Sequence, residues 1–221
     1  MTRRAIVGSG RMLTMSGART GETGAIDGPW IIVIEDDLVH EVRAGAPVPG
    51  DPDVIEDVGA ALVTPGLVDP HTHLIYAGDR SDEAASRSRG ERYTGGGILR
   101  TVAATNEATD ETLVRDTRQR LLAARSGGTT TIEVKSGYGL TAEAELRLLR
   151  LIGRAAEGLP LRVRRTYLGA HAVPSGSTRA QQTDAVIAAV PEVAAEADYI
   201  DVFCEPALFD LDGWTGSTYA V

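Results

Sequence analysis

The stretch Thr64–His73, TPGLVDPHTH, decides the fold of this 221-residue chain. Its apolar part is typical of a short buried strand, and two histidines, His71 and His73, follow at the carboxyl end. On an extended backbone the i and i+2 spacing puts both imidazoles on the same face. Two neutral imidazole nitrogens on one face can bind one divalent metal ion, although two solvated or hydrogen-bonded polar residues would show the same pattern.

On the C-terminal side of this stretch, β-favouring runs alternate with amphipathic helices. Strands are predicted at about 129–135, 161–168 and 199–204, and helices at about 109–126, from 141 onward and at about 179–197. Because Pro191 lacks a backbone N–H, it is expected to kink or split the last helix. Repeated strand–helix units of this length predict an α/β protein with a parallel sheet.

On the N-terminal side, residues 1–60 contain short β-favouring runs separated by turns. The run at 30–34 is the strongest, and it could pair with 38–42 across the acidic turn Glu35–Asp37. Three or four strands bury little apolar surface alone, so this segment is predicted to be a small β-rich domain that packs on something else. Residues 61–221 are predicted to form the second domain.

The composition is that of an ordinary globular protein, with 43% hydrophobic and 24% charged residues. Lys and Arg number 22 against 31 Asp and Glu, and the resulting net charge of −9 argues against a nucleic-acid or membrane partner. No apolar run approaches the roughly 18–20 residues that span a bilayer. The single cysteine, Cys204, excludes an intramolecular disulfide framework and favours a cytoplasmic location. Cys204 itself is expected to be a thiol of the core.

Other polar side chains follow the predicted strands, at the edge where parallel barrels collect their chemistry. His171 comes after the third strand, and Tyr138 lies between two glycines after the second. Each suits a substrate contact, although a capping histidine and a surface tyrosine are the alternatives. Arg80, in the loop after the first strand, could bind a carboxylate through two hydrogen bonds or pair on the surface with Asp79 or Asp82.

Three further features have simpler interpretations. Lys135 could be a carboxylated ligand between two metal ions, but an ordinary lysine is the preferred interpretation. The glycines Gly95–Gly97 are not followed by the residues of a phosphate loop and are expected to let a lid move. His40 lies in the β-rich segment and is predicted to be a surface or turn residue.

The motifs together resemble a known family. Thr64–His73 is similar to the first-strand metal motif of the amidohydrolase superfamily. Five further motifs occur in the same order in the imidazolonepropionase family, namely Ala77–Arg80, Gly95–Ile98, Glu133–Leu140, Leu168–Pro174 and Asp201–Glu205. The resemblance covers about residues 5–205, and its family-specific part is the block 135–140.

The resemblance implies a fold and an activity. The fold is a partial TIM-like (β/α) barrel of the amidohydrolase type with a small N-terminal β-sandwich domain. The activity is hydrolysis of the cyclic amide of 4-imidazolone-5-propanoate to N-formimidoyl-L-glutamate in histidine degradation. The implied partner is this small-molecule substrate, and the chain itself is expected to form a homo-oligomer.

The resemblance also implies roles for individual residues. His71 and His73 match ligands of one zinc or iron ion, and Arg80 matches the residue that binds the propanoate group. Tyr138 and His171 match further substrate contacts around the imidazolone ring.

The family's remaining metal ligands and its proton-transfer residues lie on later strands. Catalytic residues are therefore expected beyond Val221, and the chain is expected to be incomplete. Two alternatives stay open. One is a catalytically incomplete half-barrel that needs self-association or a missing C-terminal half. The other is a different cyclic amidohydrolase, of the dihydroorotase or hydantoinase type.

Overall fold

A computed structural model describes residues 2–16, 22–90 and 96–204, together with Phe209. The predicted motif residues Gly95 and Glu205 and the segment 210–221 lie outside the described residues. Contacts divide the chain into two compact units, Met1–Gly66 and Leu67–Val221. The division falls six residues after the predicted one at residue 60.

The first unit consists of short strands. They are β1 (Arg3–Gly8), β2 (Met12–Leu13), β3 (Ala25–Ile26), β4 (Trp30–Glu35), β5 (Leu38–Ala44) and β6 (Val54–Asp57). Four of them form a sheet in the order β5-β4-β1-β6, in which β1 pairs antiparallel with β4 and parallel with β6. The strands β2 and β3 form a separate antiparallel pair.

The hairpin of β4 and β5 confirms the pairing predicted from sequence. Ile32 lies opposite Val42 in an antiparallel register. The turn residues Asp36 and Asp37 have positive φ angles of 47° and 66°, and such turns match the right-handed twist of the flanking strands. Trp30 of β4 is fully buried in this unit.

The second unit alternates helices with strands. Its elements are β7 (Leu67–Asp69), α1 (Ser81–Ser88), α2 (Gly96–Glu107), α3 (Asp110–Ser126), β8 (Thr129–Lys135), α4 (Ala142–Ala156), β9 (Arg162–Ala170), α5 (Arg179–Val193) and β10 (Tyr199–Val202). The four strands form one sheet in the order β10-β9-β8-β7, and every neighbouring pair is parallel. The predicted parallel sheet and α/β class are confirmed. The carboxyl ends of all four strands therefore lie at one edge.

Threonine caps fix where three of the helices begin. Thr109, Thr141 and Thr178 each accept a hydrogen bond from the backbone N–H three residues further on, which satisfies a donor at the start of α3, α4 and α5. The predicted starts of these helices are confirmed. Helix α5 continues through Pro191 to Val193, so it is not split there and ends four residues before the predicted boundary.

The core of this unit is built around α4. Leu148 and Ile152 pack in one apolar cluster with Leu113 of α3 and Ile132 of β8. Other side chains of α4 pack in a second cluster with β9 and α5, including Leu149. Because α4 contributes to both clusters, it anchors the loop that leads into it from β8.

Helices α1 and α2 were not predicted. Gly96 and Gly97, expected to belong to a mobile lid, instead begin α2. Within the described ranges, every helix is too short or too polar to cross a membrane.

Candidate functional site

Three of the four histidines meet at the carboxyl edge of the parallel sheet. The ring centroids of His71 and His73, which follow β7, lie 5.3 Å apart. The ring of His171, which follows β9, stacks on His73 at 4.9 Å with an interplanar angle of 22°. The structure therefore brings together the residues that the sequence placed at the ends of two different strands.

The environment of His73 favours its neutral form. Burial, together with the neighbouring His171 and His71, lowers the pKa of His73 to about 4, whereas Asp201 opposes the shift. Its Nδ1 is buried and has no hydrogen-bond partner among the described residues. A neutral imidazole with an unsatisfied nitrogen beside a second imidazole has the chemistry of a metal ligand.

The donor set in the described residues is nevertheless partial. Across residues 2–16, 22–90 and 96–204, no group of three or more His, Cys, Asp or Glu side chains is arranged to hold a metal ion. Catalytic zinc sites generally use three protein ligands and keep one open position. His71 and His73 therefore fit two positions of such a site, and a further ligand is needed.

The hydrogen bond of His171 fixes which of its nitrogens carries the proton. Its Nδ1 lies 2.8 Å from the carbonyl oxygen of Gly137, and because a carbonyl can only accept, Nδ1–H is the donor. Burial lowers the pKa of His171, although the bond to Gly137 opposes the shift. The neutral ring then presents an unprotonated Nε2, which can accept a hydrogen bond.

Tyr138 belongs to the same cluster. Its ring centroid lies 5.1 Å from that of His171 and 5.7 Å from that of His73. The side chain is only 9% exposed, so the alternative of a surface tyrosine is wrong. Tyr76 packs on its other side, at 6.4 Å between ring centroids.

Arg80 and Tyr138 line the same cavity, whose volume is about 390 Å³. The surface pairing weighed for Arg80, with Asp79 or Asp82, is corrected: its guanidinium makes two hydrogen bonds of 2.9 Å to Glu83. Glu83 follows Arg80 by three residues and lies in the first turn of α1, which brings its carboxylate next to the guanidinium. A ligand carboxylate would therefore share the guanidinium with Glu83 or displace it.

Lys135 is held as an ammonium ion. Its side chain is almost fully buried, and Nζ lies 2.7 Å from Glu133 and 2.9 Å from Asp201. Burial lowers the pKa of Lys135, but the two carboxylates outweigh it, so the pKa lies above 10.5. Carboxylation requires a neutral amine, and this environment accords with the ordinary lysine favoured from sequence.

Sequence reasoning missed Glu145, a fully buried carboxylate in the first turn of α4. It accepts hydrogen bonds from the backbone N–H groups of Gly137, Gly139 and Leu140, in the loop that carries Tyr138. An acidic residue early in a helix is common because it interacts favourably with the helix dipole. No signal in the sequence therefore distinguished Glu145 from the exposed Glu143 two positions earlier.

Two remaining expectations have opposite outcomes. His40 is exposed on β5, as predicted. Cys204 was expected in the core but is exposed, because it follows the short edge strand β10.

Several solved structures share the fold of this chain. A triazine hydrolase from Arthrobacter aurescens matches with a TM-score of 0.58 at 18% identity, over 93% of this chain and 44% of that one. A variant of atrazine chlorohydrolase from the same species, solved with zinc and atraton, matches at 0.56 and 15% identity, over 92% of this chain and 44% of that one. No family model matches the sequence. The chain has the fold of amidohydrolases.

The sequence relatives of the chain are imidazolonepropionases. The imidazolonepropionase of Haloarcula marismortui is 47% identical over 163 residues, which is 70% of this chain and 39% of that protein. The imidazolonepropionase of Salinispora arenicola is 44% identical over 209 residues, which is 92% of this chain and 50% of that protein. The resemblance predicted from the motifs is confirmed: the chain is a relative of the imidazolonepropionases. It spans about half the length of the curated relatives it matches.

Proposed function

We propose that this chain contributes metal-binding and substrate-binding groups to an imidazolonepropionase site, which hydrolyses 4-imidazolone-5-propanoate to N-formimidoyl-L-glutamate. One observation carries the proposal. His71, His73, Tyr138 and His171 form a continuous cluster of rings, and Tyr138 also borders the cavity that contains Arg80. A site for a small anionic heterocycle needs these elements side by side.

His71 and His73 would hold the metal ion, zinc or iron, together with at least one further ligand. When bound, such an ion would polarise the amide carbonyl and lower the pKa of a water. The low pKa of His73 keeps its lone pair free for a metal at neutral pH. The zinc in the atrazine chlorohydrolase structure supports a divalent metal for this fold.

Arg80, Tyr138 and His171 would orient the substrate. The guanidinium of Arg80 can bind the propanoate with two parallel hydrogen bonds in place of those it makes to Glu83. The ring of Tyr138 would pack against the imidazolone, and the unprotonated Nε2 of His171 would accept a hydrogen bond from a ring N–H. Fixing both the tail and the ring lowers the entropic cost of reaching the transition state.

The metal assignment predicts a selective loss of zinc in histidine variants. His71→Ala is expected to weaken zinc binding by at least about tenfold, since even removal of an outer partner of a metal ligand costs that much. His40→Ala, which removes an exposed histidine from the other unit, is the matched control. Zinc content after equilibrium dialysis provides the measurement. Equal zinc retention in both variants would contradict the assignment.

The activity is tested with the zinc-loaded and the iron-loaded chain. Turnover of imidazolone propanoate should exceed turnover of dihydroorotate and of a hydantoin, because Arg80, which can bind the carboxylate of a propanoate tail, lines the same cavity as Tyr138. Faster turnover of either other ring would favour a different cyclic amidohydrolase. A metal-loaded chain without turnover would contradict the hydrolase proposal for this chain alone.

We further propose that the two units are the β-sandwich part and the first half of the barrel of this fold, in a cytoplasmic homo-oligomer. A catalytically incomplete half-barrel is the second candidate. It is favoured by apolar side chains on the outer strands of the parallel sheet, where Val68 of β7 is 64% exposed and Tyr199 of β10 is 55% exposed. Apolar edge strands are ready templates for pairing with another chain.

Association through these strands predicts a concentration-dependent mass. Val68→Lys is expected to shift the chain towards the monomer in light scattering, because a charge on an edge strand opposes pairing. Leu122→Lys places the same charge on an exposed position of α3 and should leave the mass unchanged. A monomeric wild-type chain that binds metal and turns over substrate would exclude this second candidate.

A further inference from the structure

The loop Ser136–Leu140, between β8 and α4, positions two of the groups in the ring cluster. It carries Tyr138 directly, and its Gly137 carbonyl accepts the Nδ1–H of His171 at 2.8 Å. The loop belongs to no helix or strand, so its backbone N–H groups need other partners if they are buried. Whatever satisfies these donors also determines where the two rings lie.

Glu145 satisfies three of these donors with one carboxylate. Oε1 accepts from the backbone N–H of Gly139 at 2.8 Å and of Leu140 at 2.7 Å. Oε2 accepts from the backbone N–H of Gly137, and the hydroxyl of Ser136 is a further partner. Complete burial raises the pKa of Glu145, whereas its four hydrogen bonds and its place in the first turn of α4 favour the negative charge.

The loop would not keep this shape without such support. Leu140 has a φ of +63°, a left-handed conformation that is unfavourable for a residue with a side chain. Gln182 of α5 supports the loop from the other side, since its Nε2 donates to the carbonyls of Leu140 at 2.9 Å and Gly169 at 3.0 Å. Gly169 lies two residues before His171, so the loop and the end of β9 are tied together.

We propose that Glu145 is a positioning residue of the site, which holds the Ser136–Leu140 loop so that the Gly137 carbonyl fixes the Nδ1–H form of His171 and Tyr138 packs against that ring. The inference rests on the proposed function only in taking Tyr138 and His171 as substrate contacts. Glu145 acts through the loop backbone, to which its carboxylate is hydrogen-bonded. Through the Gly137 carbonyl, it leaves Nε2 of His171 as a hydrogen-bond acceptor.

Glu145→Gln tests this role with almost no change in shape. The amide of glutamine replaces one acceptor oxygen by a donor NH₂ group, which then faces a backbone N–H of the loop. Two donors face to face leave at least one of them unsatisfied in a buried place. Glu143→Gln is the matched control, because it makes the same change at an exposed position of the same helix turn.

The primary measurement uses protein labelled with ¹⁵N in histidine and in the backbone. The chain has only four histidines, so each imidazole can be assigned and its tautomer observed by NMR. In the wild type and in Glu143→Gln, we expect the Nδ1–H tautomer at His171 and slow hydrogen exchange at Gly137, Gly139 and Leu140. In Glu145→Gln, His171 should become a mixture of tautomers, and exchange of the three amides should accelerate by at least about tenfold.

The outcomes separate positioning from general stabilisation. A lower melting temperature in Glu145→Gln with an unchanged His171 tautomer and unchanged loop exchange would overturn the proposal, because Glu145 would then act on stability alone. If Glu145→Gln does not fold, the wild type decides: fast exchange of the three loop amides, or a His171 in the Nε2–H form, would overturn the proposal. Slow exchange with the Nδ1–H form would support it. The NMR measurement requires neither bound metal nor turnover of substrate, so its result does not depend on whether the hydrolase proposal is correct.

Discussion

Replacing Lys135 by methionine is expected to lower the free energy of unfolding by about 3–5 kcal/mol at neutral pH. Lys135 is 4% exposed and is the ammonium partner of both Glu133 and Asp201. Methionine fills a similar volume, but it leaves two carboxylates without their cation. Most of the destabilisation is expected to come from Glu133, because its buried Oε2 already has no hydrogen-bond partner among the described residues.

The ion pair of Lys135 with Asp201 makes the free energy of unfolding depend on pH. Burial raises the pKa of Asp201, but the hydrogen bond and charge of Lys135 and the hydrogen bond from the Val202 backbone together outweigh it, so the pKa lies below 3.8. A depressed carboxyl pKa stabilises the fold fully above 3.8, and this contribution is lost as the pH falls through the folded pKa. The raised pKa of Lys135 stabilises the fold fully below 10.5, and this contribution is lost as the pH rises through the folded value. The difference between wild type and variant should therefore be largest between these limits and shrink outside them.

Urea unfolding of Lys135→Met and wild type at pH 3 and pH 7 provides the measurement. Arg115→Met is the matched control, because Arg115 makes a similar contact of 2.8 Å with Asp116 on an exposed helix surface. Exposed ion pairs contribute about 0–1 kcal/mol. A Lys135→Met variant as stable at pH 7 as Arg115→Met would show that the buried ion group does not stabilise the fold.

Gly137→Ala is expected to destabilise the protein by about 2–6 kcal/mol and to displace His171. The φ of Gly137 is +100°, a conformation that costs other residues about 1–3 kcal/mol. An added Cβ would also lie 2.9 Å from Nδ1 of His171 and 3.1 Å from a methyl of Leu168, and overpacking of this kind costs about 1–3 kcal/mol. Relief of the clash would lengthen the hydrogen bond between His171 and the Gly137 carbonyl.

Gly176→Ala separates the two contributions. Gly176 also has a positive φ, of +86°, but an added Cβ there meets nothing within 4 Å. Its variant should show only the backbone cost, and the His171 tautomer should stay that of the wild type. Equal unfolding free energies for the two variants would mean that the contact with His171 has no energetic weight.

The parallel unit could be predicted from sequence because its signals are local. The strand at 129–135 is rich in β-branched residues, and Thr141 marks the start of α4 with its own side chain. Such patterns act within a few residues, so no knowledge of distant contacts is needed. The same holds for the hairpin across Asp36 and Asp37 in the first unit.

Helices α1 and α2 escaped prediction for a physical reason. Helix α1 is short and mostly polar, with acidic residues such as Asp82 and Glu83 and little apolar periodicity. Helix α2 begins with Gly96 and Gly97, which have low helix propensity. Its helical state depends on packing, since Ile98 belongs to the core. The pairing of Arg80 with Glu83 was missed because it depends on this unpredicted helix.

The candidate site was partly visible in the sequence. His71 and His73 were found because two residues on one face of a strand end form a local pattern. Their approach to His171 required the parallel order of strands, which the repeated units implied. Glu145 was not visible, because no sequence pattern says that a particular carboxylate of a helix start is buried.

All three backbone donors of the Glu145 carboxylate lie within eight positions of it along the chain. Closing so short a segment costs little chain entropy, whereas pairing β7 with β8 must close a loop of about sixty residues. During folding, the hydrogen bonds of Glu145 to the loop can therefore form as soon as the first turn of α4 exists, ahead of the pairing of β7 with β8. The residues that form these hydrogen bonds of the Ser136–Leu140 loop therefore lie in one short, contiguous segment of the sequence.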